Sequence, residues 1–289
     1  MASRQQIKSR IKSVKNTRQI TKAMQLVAAS KLRRAQDAAE KPAQYALLAR
    51  QMLTRLRQLE GADEFSWFVK RPVKKRYLVV IASNLGLAGA YDGNIIRQLI
   101  SEVRKDRAAG VETSIICIGR KVGQAAARIA GLKIEAVYND MPEHPSSDDL
   151  RPLLGQVVGH FADGDADAVD IIYTHFISTI RTESQLLRIL PAGFHEEVIS
   201  EELAIAEAEP TAEILLQAVT LQLLESQLYQ AILESIASEQ SMRMLAMKNA
   251  TDNAGEIIDD LTLEFNNARQ AAITQELAEI SGGAEALNG

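Results

Sequence analysis

Two stretches almost free of glycine and proline, one at each end, dictate what this 289-residue chain can fold into. From Ser3 to Arg57 there is no glycine and one proline, Pro42. From Thr211 to Ile280 only Gly255 interrupts the run. Glycine and proline are the two residues that most weaken a helix interior, so both stretches predict long helices. Ser3 is placed to cap the first, and Gly61 to end it. Apolar residues recur every three or four positions: Ile7, Ile11, Val14, then Ile20, Met24, Val27, then Ala28, Leu32, Ala35, and on through Tyr45, Leu48, Met52, Leu53 and Leu56. This is a seam as narrow as one partner helix covers. Its register slips between Val14 and Ile20, which predicts a locally unwound supercoil. Pro42 predicts a kink, because it removes one backbone donor and crowds the preceding turn. The last stretch starts near Pro210 and carries Ile214, Leu215, Ala218, Leu221, Leu224, Leu228, Ile232 and Ile236, then Leu245, Ile257, Leu261, Phe265, Ala268 and Ile273. Seventy helical residues reach roughly 100 Å, and a helix of that length needs a partner for its apolar side.

Charge supports pairing of the two ends. Ten basic residues lie between Arg4 and Gln36, with no acid before Asp37. From Glu196 onward, eighteen acids face only Arg243, Lys248 and Arg269. Opposite blocks at opposite ends suit an antiparallel pair. Exposed ion pairs stabilise by only about 0–1 kcal/mol each, so seam burial at ~25 cal/mol per Å² is expected to dominate.

The middle has a different grammar. After a linker at 62–75 with Pro72, the apolar run Tyr77–Ala82 reads as a buried strand. A helix at 94–109, a strand at 111–118, a helix at 120–130, a strand at 132–138, a helix at 146–161 and strands at 169–176 and 185–190 follow. Ser146 and Ser147 open the third of these helices, with acids in its first turn. The alternation argues a mainly parallel, Rossmann-like sheet with both faces covered. The expected fold class is therefore α/β plus a long antiparallel coiled coil, divided as helix 1–60, α/β domain 76–195 and helix 210–285. Residues 196–210 read as an acidic surface connection.

Chemical signals are sparse. Gly86, Gly89 and Gly93 follow the first strand, but neither G-x-G-x-x-G nor G-x-x-x-x-G-K-[ST] is present, so the turn reads as structural. His144, His160, His175 and His195 lack metal-ligand spacing. Asp163, Asp165 and Asp167 resemble a calcium loop without the closing Glu and read as a solvated turn. Cys117 is alone, which excludes an internal disulfide, and reads as a core residue. The basic N-terminal arm has no interleaved aromatics before Tyr45, which argues against nucleic acid. No run of about 18 apolar residues predicts a membrane span, and no signal peptide is seen.

Three blocks are more specific. Ile20-Thr-Lys-Ala-Met-Gln-Leu-Val-Ala-Ala-Ser-Lys31 resembles the first helix of the F-type ATP synthase gamma subunit family, I-T-x-A-M-x-x-V-A-A-x-K. Ala268-Arg-Gln-Ala-Ala-Ile-Thr-Gln-Glu-Leu-Ala-Glu-Ile280 is similar to that family's closing A-R-Q-x-x-I-T-x-E-L-x-E-I. The segment from Ser238 to Asn253 is similar to its S-E-x-x-x-R-M-x-A-M-x-x-A-x-x-N. The turn after the first strand departs from the family's D-R-G-L-C-G: Leu85 and Ala88 replace its arginine and cysteine. With Cys117 alone, the regulatory cysteine pair of the chloroplast type has no counterpart.

The resemblance implies the central rotor shaft of a proton-translocating ATP synthase, non-catalytic and without a cofactor of its own. Its partners would be three alpha and three beta subunits, epsilon and the c-ring, at the cytoplasmic face of the cell membrane and peripheral to it. Contacts to beta are implied for Arg269, Gln270, Thr274 and Glu276, and next for Arg243, Lys22 and Met24. Small residues such as Ala23, Ala28, Ala29 and Ser30 would keep the shaft slim. The competing readings are a non-rotary coiled-coil scaffold with an α/β head and a stand-alone nucleotide-binding enzyme.

Overall fold

The computed structural model describes the backbone of residues 4–56, 65, 67–139, 141–142, 145–192 and 211–288, and their side chains apart from 40–46, 212–213, 279 and 282–288. Ser3, Gly61, His144, His195, Pro210 and the acidic connection at 196–210 lie outside the described residues. The elements run α1 (Arg4–Leu56), β1 (Lys75–Ile81), α2 (Tyr91–Ala108), β2 (Glu112–Ile118), α3 (Arg120–Ala126), β3 (Lys133–Tyr138), α4 (Ser147–Ala162), β4 (Ala168–Phe176), β5 (Thr182–Leu190) and α5 (Ala212–Asn288). The chain divides into two compact units, Met1–Ala28 with Met244–Gly289, and Ala29–Arg243. The division falls inside α1 and inside α5.

The larger unit is a doubly wound sheet. Strand order is β3-β2-β1-β4-β5; the first four are parallel, and β5 returns antiparallel beside β4. Right-handed crossovers place helices on both sides of such a sheet. Side chains of β1 therefore alternate between two cores: Leu78 and Val80 pack with Ile95, Leu99 and Val103 of α2 and Val122 of α3. Tyr77, Val79 and Ile81 point the other way, to Leu153, Val157 and Phe161 of α4, Leu53 of α1 and Leu224, Leu228 and Ile232 of α5. Trp67 and Phe68 are also buried in this second core, so the expected linker at 62–75 contributes packing and not only connection. Cys117 is fully buried, and desolvation pushes its thiol up to about 12.

Local chemistry sets the ends of these elements. Asp149 accepts hydrogen bonds from the Ser146 N–H and hydroxyl, both at 2.7 Å, closing a capping box at the start of α4. Asp167 is more than a solvated turn residue: its Oδ2 accepts from the Lys74 and Lys75 amides at 2.9 Å and ties the starts of β1 and β4 together. A buried ionic group holds α2 to the sheet. Arg76 bonds Asp170, Asp106 (2.9 Å) and Glu102 (3.2 Å), and Arg188 covers the other side of Asp170. Burial opposes the charge on Glu102, but its bonds to Lys105 and Arg76 prevail and hold its carboxyl below the usual value.

The smaller unit is an antiparallel helix pair. The Thr21 and Thr251 hydroxyls meet at 2.8 Å, and Arg18 lies beside Gly255. Rising from 18 to 21 on one helix therefore means descending from 255 to 251 on the other. The seam corrects the sequence reading. On α1 the seam row is Ile7, Ile11, Val14, Thr21, Gln25, Ala28, Leu32 and Ala35, each buried or half-buried, and later Ala49, Leu53 and Leu56; Met24 and Ala29 are half-buried beside it. With Arg18 in the same register, this is an uninterrupted alternation of fours and threes. There is no slip after Val14; the seam becomes polar there. Ile20 is 60% exposed and Val27 55% exposed, so neither belongs to it. On α5 the matching row is Met247, Thr251, Ala254, Ile258, Leu261, Phe265, Ala268 and Ala272, whereas Leu245, Ile257 and Ile273 face outward. α1 continues as helix through Pro42, and α5 continues past Ile280 to Asn288.

Candidate functional site

Open parallel sheets bind ligands outside the carboxyl ends of their strands, where the strand order reverses. Here that point lies between β1 and β4. The turn from β1 to α2 is tight, with Leu87 at φ 64° and Gly89 at φ 58°. Asp92, in the first turn of α2, occupies the position a phosphate would take. Its Oδ1 accepts from the Ser83 amide at 3.0 Å, and its Oδ2 lies 2.8 Å from the Ser83 hydroxyl. A carboxylate in the first turn of a helix opposes a second anion there.

The crevice is also filled from within, by α5. The Ser235 hydroxyl accepts from the Thr174 amide at 3.2 Å, and the Ser238 hydroxyl donates to the Thr174 carbonyl at 3.2 Å. Ser241 donates to the Thr179 carbonyl at 2.6 Å. Arg243 donates to the carbonyls of Leu85 (3.1 Å) and Gly86 (3.3 Å), and pairs with Glu239 at 2.7 Å. His175 and Glu234 approach to 2.5 Å beside this row. Tyr91 is fully buried, and desolvation raises its hydroxyl well above the ordinary value. These groups are donors and acceptors consumed by the fold. Among the described residues no group of three or more His, Cys, Asp or Glu is arranged to hold a metal ion. No described helix is long and apolar enough to cross a membrane.

The residues singled out by sequence fall into three places. Lys22 is exposed, its ammonium donating to Gln25 at 3.3 Å, and Met24 is half-buried. Arg269, Gln270, Thr274 and Glu276 are exposed on α5, with Thr274 donating to the Gln270 carbonyl at 2.9 Å. The antiparallel register puts Lys22 and Met24 opposite residues near 250. They therefore lie about 30 Å along the pair from Arg269, given ~1.5 Å per residue. Arg243 is 9% exposed and spends its guanidinium on the turn at Leu85–Gly86. The sequence reading missed an outward apolar row, Ile20, Leu26 and Val27 on α1 and Leu263, Leu277 and Ile280 on α5. The signal was available: the strict alternation from Ile7 to Ala35 leaves Ile20 and Val27 out of the seam.

Comparison with known proteins decides the family. The family model described as ATP synthase matches residues 3–287. The ATP synthase gamma chain of Staphylococcus saprophyticus is 38% identical over 291 residues, covering 99% of this chain and 100% of the relative. This chain belongs to the ATP synthase gamma chain family. Among solved structures, a chain of the Tetrahymena thermophila mitochondrial ATP synthase central stalk and c-ring matches at 26% identity and TM-score 0.62, over 80% of this chain and 99% of that one. A chain of the Euglena gracilis mitochondrial ATP synthase matches at 19% identity and TM-score 0.65, over 97% and 93% respectively, a likeness of fold alone. In this gamma chain the strand ends of the sheet are met by hydrogen bonds from its own last helix.

Proposed function

We propose that this gamma chain is the central rotor shaft of an F-type ATP synthase, turned by a c-ring and driving three alpha and three beta subunits in succession. The antiparallel helix pair with an unbroken heptad seam carries the reading. Such a pair buries its stripe internally and presents a continuous outer face for a surrounding sleeve. Exposed apolar side chains on that face, Ile20, Leu26 and Val27 among them, suit a partner more than water. In this reading segments 1–60 and 210–285 form the shaft, and segment 76–195 is the body that meets epsilon and the c-ring. The chain itself is non-catalytic; nucleotide chemistry resides in alpha and beta. The complex sits at the cytoplasmic face of the cell membrane, with this chain peripheral.

Contacts to beta are assigned to Arg269, Gln270, Thr274 and Glu276 at one level of α5 and to Lys22 and Met24 on α1. The same contact is proposed for Arg243, whose guanidinium also holds the turn at Leu85–Gly86. A subunit that changes conformation with the shaft's angle must touch it differently in each state, since only differential contact shifts an equilibrium. The test is the double variant Arg269→Ala, Gln270→Ala in the reconstituted complex. Assembly is retained and coupled turnover falls by about tenfold, equivalent to ~1.4 kcal/mol. Unchanged rotation and turnover would remove these residues from the contact. A scaffold of the same shape would purify without alpha, beta or ATPase activity, and that result would displace the rotor reading itself.

A further inference from the structure

We infer that the polar face of α5 at Ser235, Ser238, Ser241 and Arg243 is a rotational clamp, fixing the angle of α5 about its own axis against the sheet so that torque passes without slip. The inference rests on the rotor reading above. Upstream, α5 meets the sheet through Leu216, Leu224, Leu228 and Ile232, an apolar contact. Burial of that kind is non-directional and tolerates small rotations. From Ser235 onward the contact changes character. Four side chains at spacings of three, three and two spread over roughly 200° of the helix circumference, and each reaches main-chain atoms of the sheet unit. Ser235 and Ser238 grip both the amide and the carbonyl of the same residue, Thr174.

Hydrogen bonds weaken steeply with misalignment, so this row has one favourable angle. The three serines are almost fully buried, and a buried hydroxyl that loses its partner has no water to replace it. Their small size lets the helix axis approach the strand ends closely. Main-chain acceptors at Thr174, Thr179, Leu85 and Gly86 belong to β4, the β4–β5 hairpin and the β1–α2 turn. The clamp thus engages three separate segments of the sheet unit at once. Ser235–Arg243 lie in the stretch of α5 that belongs to the sheet unit, so the row sets the angle of that stretch against the sheet.

The test uses the reconstituted complex carrying Ser235→Ala, Ser238→Ala and Ser241→Ala together. The control is Ser226→Ala on the same helix, whose hydroxyl donates to the Gln222 carbonyl of that helix. Assembly, unloaded ATP hydrolysis, protons pumped per ATP and torsional compliance of the single rotating complex are measured. The clamp predicts hydrolysis near wild type, protons pumped per ATP reduced about twofold or more, and a softer rotor, with the control unaffected. An assembled triple variant that pumps and twists like wild type overturns it. If the triple variant fails to assemble, Ser241→Ala alone is decisive on the same readouts. A wild-type complex that neither binds alpha and beta nor pumps would instead count against the rotor reading, leaving the two failures distinguishable.

Discussion

Single residues set hard limits in this fold, and Gly119 is the clearest. It sits at φ 104° between β2 and α3, and an added Cβ would lie 2.1 Å from the Ala82 carbonyl oxygen. The neighbour is backbone, held by the Ala82 amide's bond to the Ile118 carbonyl, so nothing yields cheaply. Gly119→Ala is expected to destabilise the chain by about 3 kcal/mol or more, read as a lowered denaturation midpoint. A midpoint within error of wild type would mean the turn relaxes freely. Glu102 gives a pH dependence with a definite sign. Its folded carboxyl titrates below its ordinary value of 4.5, so its contribution is present above that pH and is lost as pH falls through the lower folded value. Glu102→Gln should therefore lower stability at pH 7 while narrowing the loss between pH 7 and pH 3, measured by denaturant titration at both. An equal loss in both proteins would show that Glu102 takes no part in acid unfolding.

Elements are held by patterns that single residues only punctuate. Thr21 and Thr251 occupy seam positions and hydrogen-bond each other at 2.8 Å. Replacing either by Val leaves a buried hydroxyl without that partner and should cost about 1 kcal/mol. Replacing both should be neutral or stabilising, because the two costs vanish together. Additive effects in this double-mutant cycle would show that the pair is not coupled. The same pair explains why the seam was misread. Period reading favours apolar residues, and at 18, 21 and 25 the seam is Arg, Thr and Gln while Ile20 and Val27 stand nearby on the outside. Hydrophobicity drew the stripe off its track for two turns, although spacing alone kept it. The sheet was legible because parallel strands buried on both faces are continuous apolar runs, as in Tyr77–Ala82. Trp67 and Phe68 were not, since aromatic residues in an irregular segment carry no period. Nor was the role of Ser235, Ser238 and Ser241, because serines in a helix say nothing of what they face until the strand ends are placed beside them.

At the scale of the whole molecule, the chain divides into a sheet unit and a helix pair, with the division inside α1 and inside α5. The tip of α5 beyond Ser281 extends past the seam row that ends at Ala272. Deleting residues 282–289 should leave assembly and coupled turnover within about twofold of wild type, since the ends of a chain are where removal is best tolerated. Loss of assembly on that deletion would assign the tip a partner. The unbroken 3.5-residue row from Ile7 to Ala28, facing its counterpart from Met247 to Ala272, has a mechanical corollary. A repeat shorter than the 3.6 of a straight helix winds two strands into a left-handed rope. Torque applied in one sense tightens such a rope, and torque in the other opens it, so the spring constant of this shaft differs between the two directions of turning.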